Sequence, residues 1–262
     1  MRVTLVNENT IVSPRDRGLQ YGDGFFTTAR IANKKMVFEA EHISRLINSA
    51  HQLSFNGFNI EAINQCLKHL PQQGIVKIVV TREQSQRGYG VNNNASINAL
   101  VYVFDTDISV NQSIHATWTN VPLSKNEFLG GLKHLNRLDN VMARTQVEQN
   151  GFAEGIMLDH KKVICGTQSN IFCIKNNRLM TPIISDCGVE GVVRNKILSW
   201  SRDESIEHEE CEINKEKLET ADAIFFTNCV KGVMAVEYIE QSRFQSHPFI
   251  ALFQKLFLKE LE

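Results

Sequence analysis

Apolar side chains recur at helical spacing in two stretches of the first part of the chain. Over residues 41–53 the apolar stripe consists of Ile43, Leu46, Ile47, Ala50 and Leu53. Arg45 lies roughly opposite that stripe, and residues 60–70 repeat the same spacing. The β-branched runs at 75–81 and 97–104 are instead typical of strands. This part of the chain is therefore predicted to be α+β.

The second half of the chain mixes short strands with longer helical stretches. A helix is predicted over 135–149, with an inward face made of Leu138, Val141, Met142 and Thr145. Further helices are predicted over 191–200 and 244–261, and strands over 114–119, 155–158, 162–165, 170–174, 223–227 and 232–239. With a joint near 105–113, the pattern predicts a smaller N-terminal domain, 1–110, and a larger C-terminal domain, 111–262.

Composition and charge narrow the class of protein. The chain has 262 residues, 42% hydrophobic and 22% charged, which is ordinary for a folded globular protein. A net charge of -1 provides no basic field, so no nucleic-acid partner is expected. The apolar runs are too short to span a bilayer, and none near the N-terminus has signal-peptide length. The six cysteines are widely spaced and show no metal-site pattern, so we expect reduced thiols in the cytoplasm and no metal.

Two short segments contain residues suited to chemistry. Residues 20–30 (QYGDGFFTTAR) place two glycines beside an aromatic run, which would let the backbone approach a ligand, although a simple turn is the ordinary interpretation. Residues 130–137 (GGLKHLNR) place Lys133 between flexible glycines and a helix start. A lysine that attacks a carbonyl needs partial burial to lower its pKa, whereas most lysines are solvated cations.

Together with other stretches along the whole chain, these segments resemble the fold-type IV class of pyridoxal-phosphate enzymes. That class includes D-amino-acid and branched-chain aminotransferases and aminodeoxychorismate lyase. The matching stretches are, in order, 16–18 (DRG), 21–26 (YGDGFF), 42–46 (HISRL), 133–137 (KHLNR), 169–172 (SNIF) and 188–194 (GVEGVVR). The versions at 26–30 (FTTAR) and 133–138 (KHLNRL) look most like those of the lyase, because transaminases of the class usually carry a Glu after the aromatic residue.

The resemblance implies a fold and a cofactor. The fold would be α/β of the D-amino-acid aminotransferase kind, with an α+β N-terminal domain and a β-barrel-like C-terminal domain that binds pyridoxal 5′-phosphate. Lys133 would hold the cofactor covalently and then shuttle a proton. Arg45 would bind the phosphate together with the backbone N–H groups of Val192 and Val193 at a helix start. Taken alone, Arg45 would be read as a solvated residue of a helix face. Cys229 lies near the place where relatives often offer a threonine hydroxyl to the phosphate.

The resemblance also implies a substrate and an assembly. The lyase converts 4-amino-4-deoxychorismate to 4-aminobenzoate and pyruvate in folate biosynthesis. Thr28 would assist the leaving group, unless it is a strand threonine that only packs on the cofactor edge. Arg82 and Arg87 are the candidates for the two substrate carboxylates, although either could be a surface charge. Because the class completes its sites with loops from a partner subunit, a homodimer is implied.

One position departs from the class. Relatives place a Glu five residues before the Asn of the SNIF segment, where it pairs with the pyridine nitrogen of the cofactor, and this chain has Cys165 there. A thiol is a weak hydrogen-bond partner and would not hold the ring proton as a carboxylate does. Three interpretations stay open: a working lyase with a weaker electron sink, a slowed or repurposed enzyme, or a shifted alignment. The alternative functions are an aminotransferase and a non-catalytic cofactor-binding paralogue.

Overall fold

The computed structural model describes residues 1–83, 88–92 and 95–262. Its contacts divide the chain into two compact units. Unit 1 consists of Met1–Ile108, Lys133–Asn136 and Glu260–Glu262, and unit 2 of Ser109–Leu132 and Arg137–Lys259. The segment that contains Lys133 therefore packs with the N-terminal residues, although the predicted domain 111–262 includes it. The division into domains 1–110 and 111–262 stays a prediction.

Unit 1 is a mainly antiparallel sheet with helices. Its strands are β1 (Arg2–Leu5), β2 (Gly24–Ala32), β3 (Lys35–Met36), β4 (Gln73–Arg82) and β5 (Ile97–Phe104). Its helices are α1 (Arg17–Tyr21), α2 (Glu39–Gln52) and α3 (Ile60–Cys66), followed by a 3-10 turn at Leu67–His69. The strand order is β1-β5-β4-β2-β3, and β1 pairs with β5 in parallel. The remaining neighbours are antiparallel.

The alternation of side chains along β2 explains how this sheet packs. Phe25, Ala29 and Ile31 are fully buried and belong to the core of unit 1. Helix α2 covers the sheet with a face that differs from the predicted stripe, since Ile47 is 43% exposed. The buried residues of α2 are His42, Leu46, Ser49 and Ala50. The contact between α2 and β2 therefore includes a polar residue, His42, which meets Thr27.

Unit 2 is a larger mixed sheet with helices. Its strands are β6 (Ile114–Trp118), β7 (Glu154–Asp159), β8 (Lys162–Gly166), β9 (Asn170–Lys175), β10 (Arg178–Pro182), β11 (His208–Cys211), β12 (Ile213–Asn214), β13 (Ala223–Asn228), β14 (Gly232–Ile239) and β15 (Ser242–Arg243). Its helices are α4 (Leu138–Gln149), α5 (Val192–Asp203), α6 (Lys215–Glu219) and α7 (Pro248–Lys259). The order is β11-β10-β9-β13-β14-β6-β7-β8-β12, with β15 on β14. The α/β class predicted from the sequence is confirmed.

The core of unit 2 explains one wrong prediction. The residues predicted to face inward from α4 are exposed: Leu138, Val141, Met142 and Thr145. The helix instead buries Ala143 and Val147, both fully. The apolar stripe of α4 therefore faces away from the core of its own unit. No helix within the described ranges is long and apolar enough to cross a membrane.

Candidate functional site

In unit 1, the segment 133–136 runs along the start of β2. The Phe26 N–H donates to the Lys133 carbonyl at 2.9 Å, and the Leu135 N–H donates to the Gly24 carbonyl at 3.0 Å. A Cβ atom on Gly24 would lie 2.3 Å from the Val80 carbonyl oxygen and 2.7 Å from the Leu135 side chain. The sequence suggested that the missing side chain of Gly24 lets a ligand approach. In the structure it lets the segment 133–136 lie against β2.

The Lys133 side chain lies on the face of the sheet that carries Phe26. Its Nζ is 4.6 Å from the centre of the Phe26 ring, within range of a cation–π contact. Thr28 shares this face, because side chains two apart along a strand point the same way. Lys77, which pairs with Thr28 across β2 and β4, places its Nζ 5.2 Å from the same ring. The amine and the hydroxyl that the sequence nominated thus share one sheet face.

On the opposite face of β2, His42 is a buried neutral imidazole. Its Nδ1 lies 2.6 Å from the Thr27 hydroxyl, and its Nε2 has no hydrogen-bond partner among the described residues. Burial, followed by the positive charges of Arg45 and Lys133, lowers the His42 pKa from 6.5 to about 3. The site therefore gains no third positive charge near neutral pH. Sequence reasoning missed His42, although it begins the HISRL stretch.

The structure places the two predicted substrate arginines differently. Arg82 is buried, pairs with Asp23, donates to the carbonyls of Leu53 and Ser54, and stacks 3.9 Å from the Phe55 ring centre. These contacts satisfy a guanidinium within unit 1, so they do not support binding of a substrate carboxylate. Arg87 lies outside the described residues.

Asp23 also binds a second arginine. Its other oxygen accepts from Arg17 Nε at 2.7 Å, and Arg17 donates to the carbonyls of Gly88 and Tyr89 at 3.0 and 2.9 Å. Arg17 is buried and Tyr89 is exposed. Asp23 therefore binds both Arg17 and Arg82, and Arg17 in turn donates to the backbone carbonyls of residues 88 and 89.

In unit 2, Cys165 lies near the end of β8. Its side chain is 5% exposed and belongs to an apolar cluster with Met157, Ile164 and Cys187. Met157 is also its partner across β7 and β8. The thiol is therefore buried and packs among apolar side chains of unit 2.

A buried carboxylate, Glu154, shapes the turn that follows Cys165. The N–H groups of Gly155 and Thr167 donate to its Oε1 at 2.9 Å, and the Thr167 hydroxyl also donates to that atom. The Ser169 hydroxyl donates to Oε2 at 2.7 Å. Both oxygens are thus used, by the Gly155 N–H and by the donors of Thr167 and Ser169. Sequence reasoning missed Glu154, because its side-chain partners, Thr167 and Ser169, lie 13 and 15 residues further along the chain.

The first backbone amides of α5 are not capped by the side chain of the N-cap residue. Gly191 is the N-cap and provides no side-chain cap for the N–H groups of Val192 and Val193. The Asn170 side chain donates to the Val189 carbonyl at 2.8 Å, and a Cβ atom on Gly191 would lie 2.0 Å from Asn170 Oδ1. A side chain at position 191 would therefore have to displace the Asn170 amide where the chain enters this helix.

A buried hydroxyl lies at the same end of the sheet. Thr227 on β13 pairs with Asn170 on β9, and its Oγ1 has no hydrogen-bond partner among the described residues. Because open helix amides and a hydroxyl donor suit an anion, this group fits a phosphate. Cys229 lies two residues further on, in a turn where Asn228 Oδ1 accepts from the Val230 and Lys231 N–H groups. Sequence reasoning pointed to Cys229 and missed Thr227, whose buried position depends on the strand pairing.

Comparisons with known proteins agree with this picture. A model of the amino-transferase class IV family matches residues 24–239. D-alanine aminotransferase from Bacillus licheniformis is 26% identical over 235 residues, which cover 87% of this chain and 83% of that protein. Aminodeoxychorismate lyase from Vibrio harveyi is 25% identical over 234 residues, which cover 86% of each. The crystal structure of 4-amino-4-deoxychorismate lyase from Pseudomonas aeruginosa has a TM-score of 0.91 and 28% identity over 97% of both chains. The predicted fold is therefore confirmed.

Proposed function

We propose that this chain, which belongs to the class IV aminotransferase family and uses the pyridoxal 5′-phosphate of that family, is an aminodeoxychorismate lyase. It would convert 4-amino-4-deoxychorismate to 4-aminobenzoate and pyruvate. The observation that carries the proposal is the sheet face of unit 1 that presents the Lys133 amine and the Thr28 hydroxyl. The similarity to the lyases from Vibrio harveyi and Pseudomonas aeruginosa supports it.

The residues of this chain suit the phosphate of the cofactor better than they suit its ring nitrogen. The first amides of α5, those of Val192 and Val193, and the Thr227 hydroxyl suit its phosphate. Arg45, which the family resemblance assigns to the phosphate, stays a proposed ligand of that group. Cys229 would add at most a backbone contact. Lys133 supplies the amine that holds the cofactor. The ring nitrogen would meet the Cys165 thiol in place of a carboxylate.

In the proposed reaction, the bound cofactor supplies electron withdrawal at the carbon that bears the substrate amine. Lys133 takes the proton from C4, and the electron pair of that C–H bond forms the ring double bond as the C3–O bond breaks. Thr28 donates a hydrogen bond to the departing oxygen, which leaves as enolpyruvate and becomes pyruvate after proton transfer. Atoms and electrons balance without an oxidant, and the aromatic ring of the product drives the step.

The lysine can be tested with its neighbour as a control. Borohydride should fix the cofactor onto Lys133 in the purified holoprotein, as seen by peptide mass spectrometry. Lys133→Ala should lose the label and the associated absorption band. Lys77→Ala, which removes the other amine above Phe26, should keep both. A label that survives in Lys133→Ala would refute the assignment.

The reaction can be tested by comparing two products. Pyruvate released from 4-amino-4-deoxychorismate should far exceed keto acid formed from D-alanine or branched-chain amino acids. The reverse ratio would favour an aminotransferase, and neither product would favour a non-catalytic paralogue. Thr28→Val should lower pyruvate release by about 10²-fold or more, the range for loss of a positioned acid or oxyanion donor, while Thr28→Ser retains most of it.

We also propose a homodimer, supported by the exposed apolar face of α4. Leu138, Val141 and Met142 are 68%, 58% and 54% exposed, and an apolar patch of this kind often marks a protein interface. A second copy of the chain is the proposed occupant. Light scattering should give twice the chain mass for the native protein and for Gln149→Glu at the polar end of α4. Val141→Glu should give the single mass, and a native monomer would refute the proposal.

A further inference from the structure

The carboxylates that unit 2 brings towards Cys165 are already bound elsewhere. Glu154, on the strand paired with that of Cys165, accepts from the Gly155 N–H and, at the 166–169 turn, from the Thr167 N–H and the Thr167 and Ser169 hydroxyls. Asp139, in the first turn of α4, accepts from the Ser124 N–H at 2.7 Å. Both carboxylates thus already accept hydrogen bonds from the protein, and neither is positioned to face a ring nitrogen. The missing Glu is therefore not replaced by these two.

Helix α4 brings a cation to the same end of unit 2. Arg137 is its N-cap, and its guanidinium donates to the Leu132 carbonyl. In the first turn, Asn140 Nδ2 donates to the Thr167 carbonyl at 3.0 Å and lies 3.5 Å from the Met157 sulfur. Since Thr167 follows Cys165 by two residues and Met157 is paired with it, α4 begins beside the thiol.

The electrostatics of this end agree with the geometry. Burial lowers the pKa of Arg137, and interactions with Cys165 and then with Asp139 raise it. An arginine remains charged in proteins even when its pKa is lowered. A positive charge disfavours the gain of a second positive charge close by. The carboxylate of Asp139 is engaged by the Ser124 N–H, so at this end the positive charge of Arg137 is what opposes protonation of a basic nitrogen placed against the thiol.

We propose that Cys165 and Arg137 hold the ring nitrogen of the bound cofactor without a proton, which selects elimination over amino-group transfer. This inference rests on the proposed function, which places that nitrogen at Cys165. Arg137 acts here as a positioning charge and Cys165 as the contact.

The reason lies in where the electron pair goes after Lys133 removes the proton. In the elimination, the pair enters the new aromatic ring as the C3–O bond breaks, so little of it must be stored. In amino-group transfer, the pair must be held until a proton is added at another carbon, and a protonated ring nitrogen is what holds it. A site that leaves the nitrogen unprotonated therefore slows the transfer far more than the elimination.

The native holoenzyme provides the primary test. The protein is loaded with pyridoxal 5′-phosphate labelled with ¹⁵N in the ring, and the nitrogen signal is recorded at pH 7.5. We expect the chemical shift of an unprotonated pyridine. The shift of a protonated pyridine would overturn the proposal without reference to any rate.

Two variants place the same carboxylate at two cysteines of one cluster. Cys165 and Cys187 are each 5% exposed and belong to the same apolar cluster. Cys165→Glu should move the ¹⁵N signal to the protonated position and raise the conversion of the cofactor to its amine form by D-alanine about tenfold or more. Cys187→Glu should change neither. If both variants moved the signal alike, the role of Cys165 would be refuted.

Arg137→Gln tests the cation and does not bury a new charge. It should shift the pH at which the ¹⁵N signal changes upward by about one unit or more, whereas an unchanged value would refute the role of Arg137. Failure of the proposed function looks different: the native enzyme then releases no pyruvate from 4-amino-4-deoxychorismate, wherever its nitrogen signal lies. A protonated nitrogen in an enzyme that does release pyruvate overturns only the roles of Cys165 and Arg137.

Discussion

Protonation of His42 is expected to weaken unit 1 in mild acid. The imidazole is fully buried between α2 and β2, with Thr27 as its hydrogen-bond partner. Burial and the charges of Arg45 and Lys133 lower its pKa from 6.5 to about 3. A proton added to this ring would have to be accommodated beside two cations and away from water. The folded chain therefore resists protonation that the unfolded chain accepts.

The sign and size of the effect follow from proton linkage. The unfolded chain binds the proton at an ordinary pKa of 6.5 and the folded chain at about 3, so the unfolded state binds more protons between these values. The free energy of unfolding consequently falls as the pH falls through this window. From pH 7 to pH 5 the loss is about 2 kcal/mol, and it grows by about 1.4 kcal/mol for each further unit down to the folded pKa.

Hydrogen exchange in urea can follow unit 1 by itself. Peptides from β2 and α2 report this unit, whereas Trp118 and Trp200 both lie in unit 2. Between pH 7 and pH 5, His42→Gln should lose about 2 kcal/mol less than the native chain. His160→Gln, whose side chain is 89% exposed, should behave like the native chain. Equal losses in the native chain and His42→Gln, or an NMR titration of the His42 ring near pH 6.5, would refute the reasoning.

Two substitutions test the buried polar groups. Glu154→Ala should lower the free energy of unfolding of unit 2 by about 3–5 kcal/mol, because two amides and two hydroxyls lose their acceptor, while Glu154→Gln should lower it by about 1–2 kcal/mol. Tryptophan fluorescence in urea measures both, with the exposed Glu148→Gln as control, and equal losses in all three would contradict the role of Glu154. Arg82→Lys should cost unit 1 about 1–2 kcal/mol, because lysine lacks the fork that reaches Asp23 and two carbonyls. The exposed Arg2→Lys is its control in the same exchange assay, and matching results for the two would show that the fork is dispensable.

The strands with continuous apolar runs could be predicted from the sequence. The bounds of β5 and β14 agree with the predicted 97–104 and 232–239, because each strand is a largely apolar run that is buried on both faces at its start. The strand β2 was not predicted, since its glycines and threonines indicated a turn. The inward face of α4 was predicted wrongly, because apolar spacing does not say which surface covers the stripe.

Some residues of the candidate site could be identified from the sequence and others could not. The resemblance nominated Lys133 and Thr28, which lie on one face of the sheet, and the roles proposed for them stay predictions. Glu154, Thr227 and His42 could not be found from the sequence, because each meets its neighbours only through strand pairing or helix packing. Arg82 was nominated from the sequence as a substrate-binding arginine. In the structure its guanidinium instead binds Asp23 and two backbone carbonyls.

The return of Lys133–Asn136 to unit 1 has a consequence for synthesis on the ribosome. The sheet of unit 1 closes only when β5 can pair with β1, and the lysine segment joins β2 later still. A nascent chain therefore builds a nearly complete sheet before it holds the amine. A fragment that stops at residue 110 would contain all five strands and lack Lys133. Such a fragment should fold without binding the cofactor, which makes folding and cofactor loading separate events in time.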